Sequence, residues 1–127
     1  RVLSQLKRVI RTNYSNPPVH GGKVVAAVLT TPELRLLWEE ELAGMRVRIR
    51  EMRNAFVEKL KQKAPAHDFE FVREQVGMFS YSGLTKAQVE RLRVEHSIYA
   101  VDTGRICVAA LNSRNIDIVI DAIAKVL

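Results

Sequence analysis

Apolar residues recur at steps of three or four from Leu34 through Trp38, Leu42, Met45, Ile49, Met52, Phe56 and Leu60, which is one face of a helix. The pattern predicts a single helix over 31–63. Thr31 can cap it, Pro32 suits the first helical position, and Glu33 suits the positive end of the helix dipole. Gly44 is the weak point inside it, and Pro65 closes it. At roughly 1.5 Å per residue such a helix is about 48 Å long. A compact globule of this chain length is only about 36 Å across. The helix is therefore expected to overhang any domain these residues build alone, as a strut to something else.

Before the strut, Val2, Leu6, Val9 and Ile10 fall at helical spacing over residues 1–11. No cap precedes them, so the numbering is expected to start inside a helix and the chain to be a fragment. Asn13-Tyr14-Ser15-Asn16-Pro17-Pro18 reads as a rigid, extended turn, because proline fixes φ and pushes its predecessor out of the helical region. After Gly21-Gly22, the run Lys23–Leu29 reads as a short apolar helix, with a strand as the alternative.

Beyond Pro65 the period changes to two. Phe69 and Phe71 alternate with Asp68 and Glu70, and a strand is expected over 68–73. Gly77–Gly83 brackets a second. Thr85 and Gln88 form a capping box for a helix running to His96, with Val89 and Leu92 as its buried stripe. Ile98–Val101 and Ile106–Leu111 read as two further strands joined by the turn Asp102-Thr103-Gly104-Arg105. A last helix starts near Ser113, with Ile116, Val119, Ile120, Ile123 and Leu127 facing inward. The fold class is α+β: helices, one of them very long, beside a small and mostly antiparallel sheet.

The 127 residues suffice for one core, and 47% hydrophobic with 27% charged residues is ordinary for a soluble protein. No apolar run is long enough to span a membrane and no signal peptide opens the chain. The single cysteine, Cys107, fits a reducing compartment, so a cytoplasmic location is expected. The net charge of +6 invites a nucleic-acid reading. Yet Arg46, Arg48, Arg50 and Arg53 are interleaved with Glu39, Glu40, Glu41 and Glu51, the look of a solvated helix face, and no aromatics interleave to stack bases. Nucleic acid is not expected as a partner.

Catalytic motifs are absent. His20, His67 and His96 are scattered, and no His, Cys or carboxylate cluster has metal-ligand spacing. There is no phosphate-binding glycine loop, and Ser80 and Ser82 lack a nucleophile-elbow context. Cys107, alternating with apolar neighbours, reads as a core residue rather than a nucleophile. Two arginines remain. Arg105 follows a glycine turn at the head of an apolar run, and Arg11 sits where a helix stops against the proline corner. A guanidinium can grip a carboxylate with two parallel hydrogen bonds, so two fixed arginines suit a substrate with two acidic ends. The alternative is that both merely cap helix or turn ends at the surface.

Three stretches in one register carry a resemblance: Arg11-Thr12-Asn13-Tyr14-Ser15-Asn16-Pro17-Pro18, Gly77-Met78-Phe79-Ser80-Tyr81-Ser82-Gly83-Leu84, and Ser97-Ile98-Tyr99 with Thr103-Gly104-Arg105. Through them the chain resembles the C-terminal third of the aspartate and aromatic-amino-acid aminotransferases, pyridoxal-phosphate enzymes of fold type I. The resemblance implies that residues 1–30 belong to the large domain and intersubunit rim. It makes 31–63 the interdomain helix and 64–127 the small domain of a homodimeric enzyme. Arg105 would clamp the substrate α-carboxylate. Arg11 would reach the neighbouring subunit's active site and read a distal carboxylate, with Ser15 and Asn16 on the same rim. Phe79 would be the aromatic residue of the substrate-facing strand. Substrates would be amino acids and 2-oxo acids, aspartate or glutamate, aromatic, or both. The family's cofactor lysine lies upstream of Arg1, so the isolated chain is expected to carry no catalytic residue, no metal and no bound pyridoxal phosphate, and to be inactive alone. Ala110 departs from the family's glycine, which touches strand packing there. The alternative function is a non-catalytic basic module for interaction or nucleic-acid binding.

Overall fold

A computed structural model describes residues 1–16 and 18–127, so the expected Asn13–Pro18 corner lies partly outside the described residues. The chain divides into two compact units, Arg1–Leu42 and Ala43–Leu127. The first holds α1 (Val2–Asn13), α2 (Val19–Thr30) and the opening of α3 (Pro32–Lys63). No residue of α1 or α2 is buried. α1 ends as its own backbone folds back, with the amides of Tyr14 and Ser15 both donating to Ile10 O at 3.2 Å. α2 begins at Val19, so Gly21 and Gly22 lie inside the helix rather than before it. A Cβ at either glycine would meet nothing within 4 Å, so the two cost propensity without leaving a hole. Thr31 joins α2 to α3 through its carbonyl, which accepts from Arg35 N at 2.9 Å.

In the second unit the core gathers around the last turns of α3. Phe56, Val57 and Leu60 are buried there against Val89 and Leu92 of α4 (Lys86–His96) and Ile116, Ile120 and Ile123 of α5 (Ile116–Val126). α4 starts on the expected capping box: Gln88 N donates to Thr85 Oγ1 at 3.3 Å, and Thr85 N to Gln88 Oε1 at 2.8 Å. α5 begins three residues later than Ser113. The Asn112–Asn115 turn takes up those residues, with Asn112 N donating to Asn115 Oδ1 at 2.8 Å.

The sheet is smaller than the alternation suggested. It has two antiparallel strands, β1 (Phe79–Tyr81) and β2 (Arg105–Cys107), in the register Phe79–Cys107, Ser80–Ile106 and Tyr81–Arg105. No strand forms over 68–73. Asp68 Oδ1 accepts from Glu70 N at 2.8 Å and turns the chain into a 3₁₀ helix, Glu70–Val72, a local side-chain bond outcompeting a ladder. Phe69 then packs edge-on to Phe56, with ring centroids 6.4 Å apart. Ile98–Val101 is not a strand either. Ile98 N is engaged in the α4 cap, donating to Leu92 O at 3.0 Å, and Val101 O in the next turn, accepting from Gly104 N at 2.8 Å. The turn is therefore present, and Val101 N donates to Arg105 O at 3.3 Å across it, but no ladder extends from there and the strand partner of β2 is β1. β2 also stops at Cys107, because Val108–Ala110, including Ala110, forms a 3₁₀ turn.

Candidate functional site

β1 is bracketed by Gly77 and Gly83, both with positive φ. Its pleat sends Phe79 and Tyr81 outward and Ser80 inward. Opposite Tyr81, Arg105 points to the same outer face, and its guanidinium carbon lies 5.0 Å from the centroid of the Phe79 ring. That is cation–π distance, worth about 0.5–1 kcal/mol at an exposed site. The contact places the guanidinium over the Phe79 ring, on the exposed outer face of β1. Nearby charge is engaged elsewhere: Asp102 pairs with Arg93 at 2.9 Å and with Lys86 at 3.6 Å. Arg105 has no ion pair among the described residues.

Arg105 is neither buried nor aimed into a closed cavity. It stands exposed on the lip between two depressions. One, of about 410 Å³, is lined by Phe79, Tyr99, Val101, Ile106 and Cys107. The other, of about 460 Å³, is lined by Gln75, Phe79, Tyr81 and Thr103. A planar cation beside an aromatic ring, with apolar ground around it, suits a carboxylate carried on an organic body. Cys107 is half-buried in β2, as a packing residue would be.

The backbone under Arg105 is held from below. Ser82 is fully buried, and its amide and hydroxyl both donate to Gly104 O, at 2.9 and 2.7 Å. Leu84 N donates to Ser82 Oγ at 3.3 Å. Gly104 itself has φ of +81°, and a Cβ there would lie 2.7 Å from the Leu84 carbonyl oxygen. Gln75 braces the free edge of β1, accepting from Tyr81 N at 2.7 Å and donating to Tyr81 O at 3.0 Å. This one side chain does what a third strand would do.

Arg11 belongs to the other unit, in the last turn of α1, where it donates to Ser15 Oγ. Ser15 has φ of +58°, and Asn16 follows it, exposed. The structure thus brings Arg105 to Phe79, and Arg11 to Ser15. No group of three or more His, Cys, Asp or Glu side chains able to hold a metal ion occurs among the described residues. No helix among them is long and apolar enough to cross a membrane.

The expected solvated arginine face of α3 needs correction. Arg53 is buried, donating to Gly77 O at 2.6 Å and Ser80 Oγ at 3.3 Å. Burial pulls its guanidinium below the ordinary arginine value. Arg48 donates to Ala109 O and Leu111 O, at 3.1 and 2.7 Å. Charge interleaving hid both, although a signal existed for Arg53: it lies four residues after Ile49 and three before Phe56, inside the apolar stripe. Ser82 gave no such signal, since nothing local marks a serine whose partner is twenty-two residues away.

The sequence model of the family described as aminotransferase class I and II matches residues 1–123. Across 127 residues the chain is 65% identical to an aspartate aminotransferase of Pseudomonas aeruginosa and 47% identical to an aromatic-amino-acid aminotransferase of Escherichia coli. It covers 32% of each. A crystal structure of an aromatic-amino-acid aminotransferase from Burkholderia pseudomallei, covalently bound to pyridoxal phosphate, matches the fold with a TM-score of 0.94 at 69% identity. That match covers 100% of this chain and 32% of the other. The chain therefore spans about a third of the length of the relatives it matches. With the family match running through both units and a fold this close to a solved member, the chain belongs to the class I and II aminotransferases.

Proposed function

We propose that these residues form the substrate-carboxylate arm of a cytoplasmic, homodimeric aminotransferase that uses pyridoxal phosphate. It moves an amino group between a 2-oxo acid and aspartate, glutamate or an aromatic amino acid. The observation that carries the reading is Arg105, exposed over the Phe79 ring and without an ion pair among the described residues, in a chain of this family. In this reading Arg105 takes the α-carboxylate common to every amino-acid substrate, two N–H groups to two oxygens. Phe79 holds the guanidinium plane and flanks the substrate. Arg11, steadied by Ser15 with Asn16 beside it, reads a distal carboxylate in the neighbouring subunit's site and swings aside for an uncharged side chain. Residues 1–30 sit with the large domain, 31–63 link it to the small domain, and 64–127 form the small domain.

The residues described do not themselves fit pyridoxal phosphate. No lysine lines the depressions beside Arg105, and Lys59, Lys63 and Lys86 are engaged with Asp117, Asp121 and Asp102. In the proposed enzyme the cofactor's lysine and phosphate ligands come from residues beyond these 127. What this stretch contributes is binding and orientation. A basic interaction module has less support, because Arg48, Arg53, Arg73 and Arg91 are spent on internal bonds.

The test is kcat/KM for aspartate and for phenylalanine in the full-length protein. A carboxylate left unpaired once substrate has covered the site costs roughly 3–5 kcal/mol, or about two to four orders of magnitude in kcat/KM. Arg105→Ala should lose that on both substrates, and Arg11→Ala on aspartate alone. Equal damage to phenylalanine in Arg11→Ala would overturn the assignment of the two arginines.

A further inference from the structure

Arg53 stands where α3 should carry an apolar residue. It sits in the stripe between Ile49 and Phe56, and only 6% of it is exposed. Burying a guanidinium is costly unless its donors are met. Here Nε and Nη2 are met by neutral acceptors, the Ser80 hydroxyl and the Gly77 carbonyl. Arg53 has no ion pair among the described residues, whereas Arg73 takes Glu58 at 2.5 Å and Glu70 at 2.6 Å. A methionine would fill similar volume with no charge to desolvate. The distinctive property of arginine at this place is a rigid fork long enough to hold two points of another element at once.

Those two points are on and just before β1. Gly77, with its positive φ, lies two residues ahead of Phe79, and Ser80 is the strand's middle residue, paired with Ile106. A ladder of three residues per strand is marginal by itself, so its position is set by what it is fastened to. Arg53 fastens β1 from the inner face, while Phe79 and Arg105 meet on the outer face. Arg48 makes a second fastening from α3 to the chain just past β2, at Ala109 and Leu111. The ladder is thus tied to one helix at both of its strands.

We propose that Arg53 is a positioning residue for Arg105. It pins β1 to α3 and so holds the Phe79 ring, and the guanidinium lying on it, where a substrate carboxylate is read. The proposal rests on the reading of Arg105 as the carboxylate-binding arginine. Arg53 touches no substrate, so its effect must pass through Arg105. It must also weigh equally on every substrate with an α-carboxylate.

The experiment is steady-state kinetics on the full-length enzyme with aspartate and phenylalanine, alongside thermal unfolding. Arg53→Met should raise KM for both substrates by about tenfold and alike, with kcat changed less than about threefold, the scale of one or two hydrogen bonds to a charged group. Arg53→Lys should recover part of the loss, since an ammonium reaches one acceptor well but not both. In an Arg105→Ala background, Arg53→Met should add less than about a twofold further change in KM, because the path it acts through is gone. Val89→Ala, in the core of α4, supplies the control: it should lower Tm and leave KM alone. If Arg53→Met lowers Tm as Val89→Ala does and leaves both KM values unmoved, Arg53 is only a structural residue and the proposal falls. It also falls if the KM change persists without Arg105. Failure of the underlying reading shows separately, as an Arg105→Ala enzyme with unchanged KM, and takes the proposal with it. Should Arg53→Met not fold, Ser80→Ala removes one acceptor and keeps the charge. It should give the same equal rise on both substrates at about threefold, and no rise would overturn the proposal.

Discussion

Gly104→Ala puts the turn beneath Arg105 to a quantitative test. The residue has φ of +81°, and a Cβ would stand 2.7 Å from the Leu84 carbonyl oxygen and 3.4 Å from Tyr81 Cε2. The left-handed conformation alone costs an alanine about 1–2 kcal/mol. The contact with Leu84 O is with backbone, so no rotamer change relieves it and the chain must move. That movement strains two bonds into Gly104 O, from Ser82 N at 2.9 Å and Ser82 Oγ at 2.7 Å, each worth about 1 kcal/mol. Taking the conformational cost with one to two weakened bonds gives about 3 kcal/mol, against a typical domain stability of about 5–15 kcal/mol. Native-state hydrogen exchange reads this locally, whatever the length of the chain around it. Protection of the Ser82 amide, which donates to Gly104, should fall by about two orders of magnitude, while amides at the centre of α5 change little. If Arg105 reads the substrate carboxylate as proposed, KM for amino-acid substrates in the full-length protein should rise as its turn shifts. A Ser82 amide protected to within about threefold of the unsubstituted protein would show that the turn accommodates a side chain freely, and the reasoning would fail.

Gly44→Ala should do the opposite. Gly44 lies inside α3 with nothing within 4 Å of a built Cβ, so helix stability should rise by about 0.5–1 kcal/mol, seen as an upward shift in Tm. Thr85→Ala breaks a complete capping box and should cost about 1 kcal/mol, read as faster exchange in the first turn of α4. Acid should weaken the second unit through two carboxylates held below their usual range, Asp121 by its hydrogen bond from Lys63 and Glu95 by its bond from Arg91. A depressed folded pKa makes their contribution whole above the unfolded values near about 4 and lost as pH falls through the lowered ones. Lys63, raised by the same bond to Asp121, loses its share in the opposite direction, above about pH 10.4. Asp121→Asn with Glu95→Gln should flatten the acid limb of a stability-versus-pH curve; an unchanged limb would refute the assignment.

Features set by neighbours in the chain were legible in the sequence. The Thr85–Gln88 box, the extent of α3 and the inward face of α5 all follow from spacing, and the structure has each of them. The two lost strands share a cause. At Phe69–Phe71 a period of two is also what a turn leaves when Asp68 bonds the Glu70 amide, and Phe69 is buried by Phe56, which lies thirteen residues earlier on α3. At Ile98–Val101 the apolar run was real, but its two ends are held by the α4 cap and by the turn around Gly104, where Val101 bonds Gly104 and Arg105, and the residues between them join no ladder. Alternation says which side chains want burial. It does not say whether the backbone has a free edge to pair with.

The same distinction separates the two arginines proposed to read carboxylates from their support. Arg11 and Arg105 stand out because each follows or precedes a conformational landmark, a glycine turn or a proline corner, and lies in a motif that the family resemblance picks out. Arg53 and Ser82 are polar residues whose meaning depends on partners brought near by the fold, Ser80 and Gly77 for one and Gly104 for the other. A buried charge with only neutral acceptors is tolerated when the geometry it fixes matters more than the desolvation it costs. The helix that supplies Arg53 also supplies Arg48, so a single element sets both strands of a ladder too small to set itself. A displacement of that part of α3 would act on β1 through the bonds from Arg53 to Gly77 and Ser80, and on the chain just past β2 through those from Arg48 to Ala109 and Leu111.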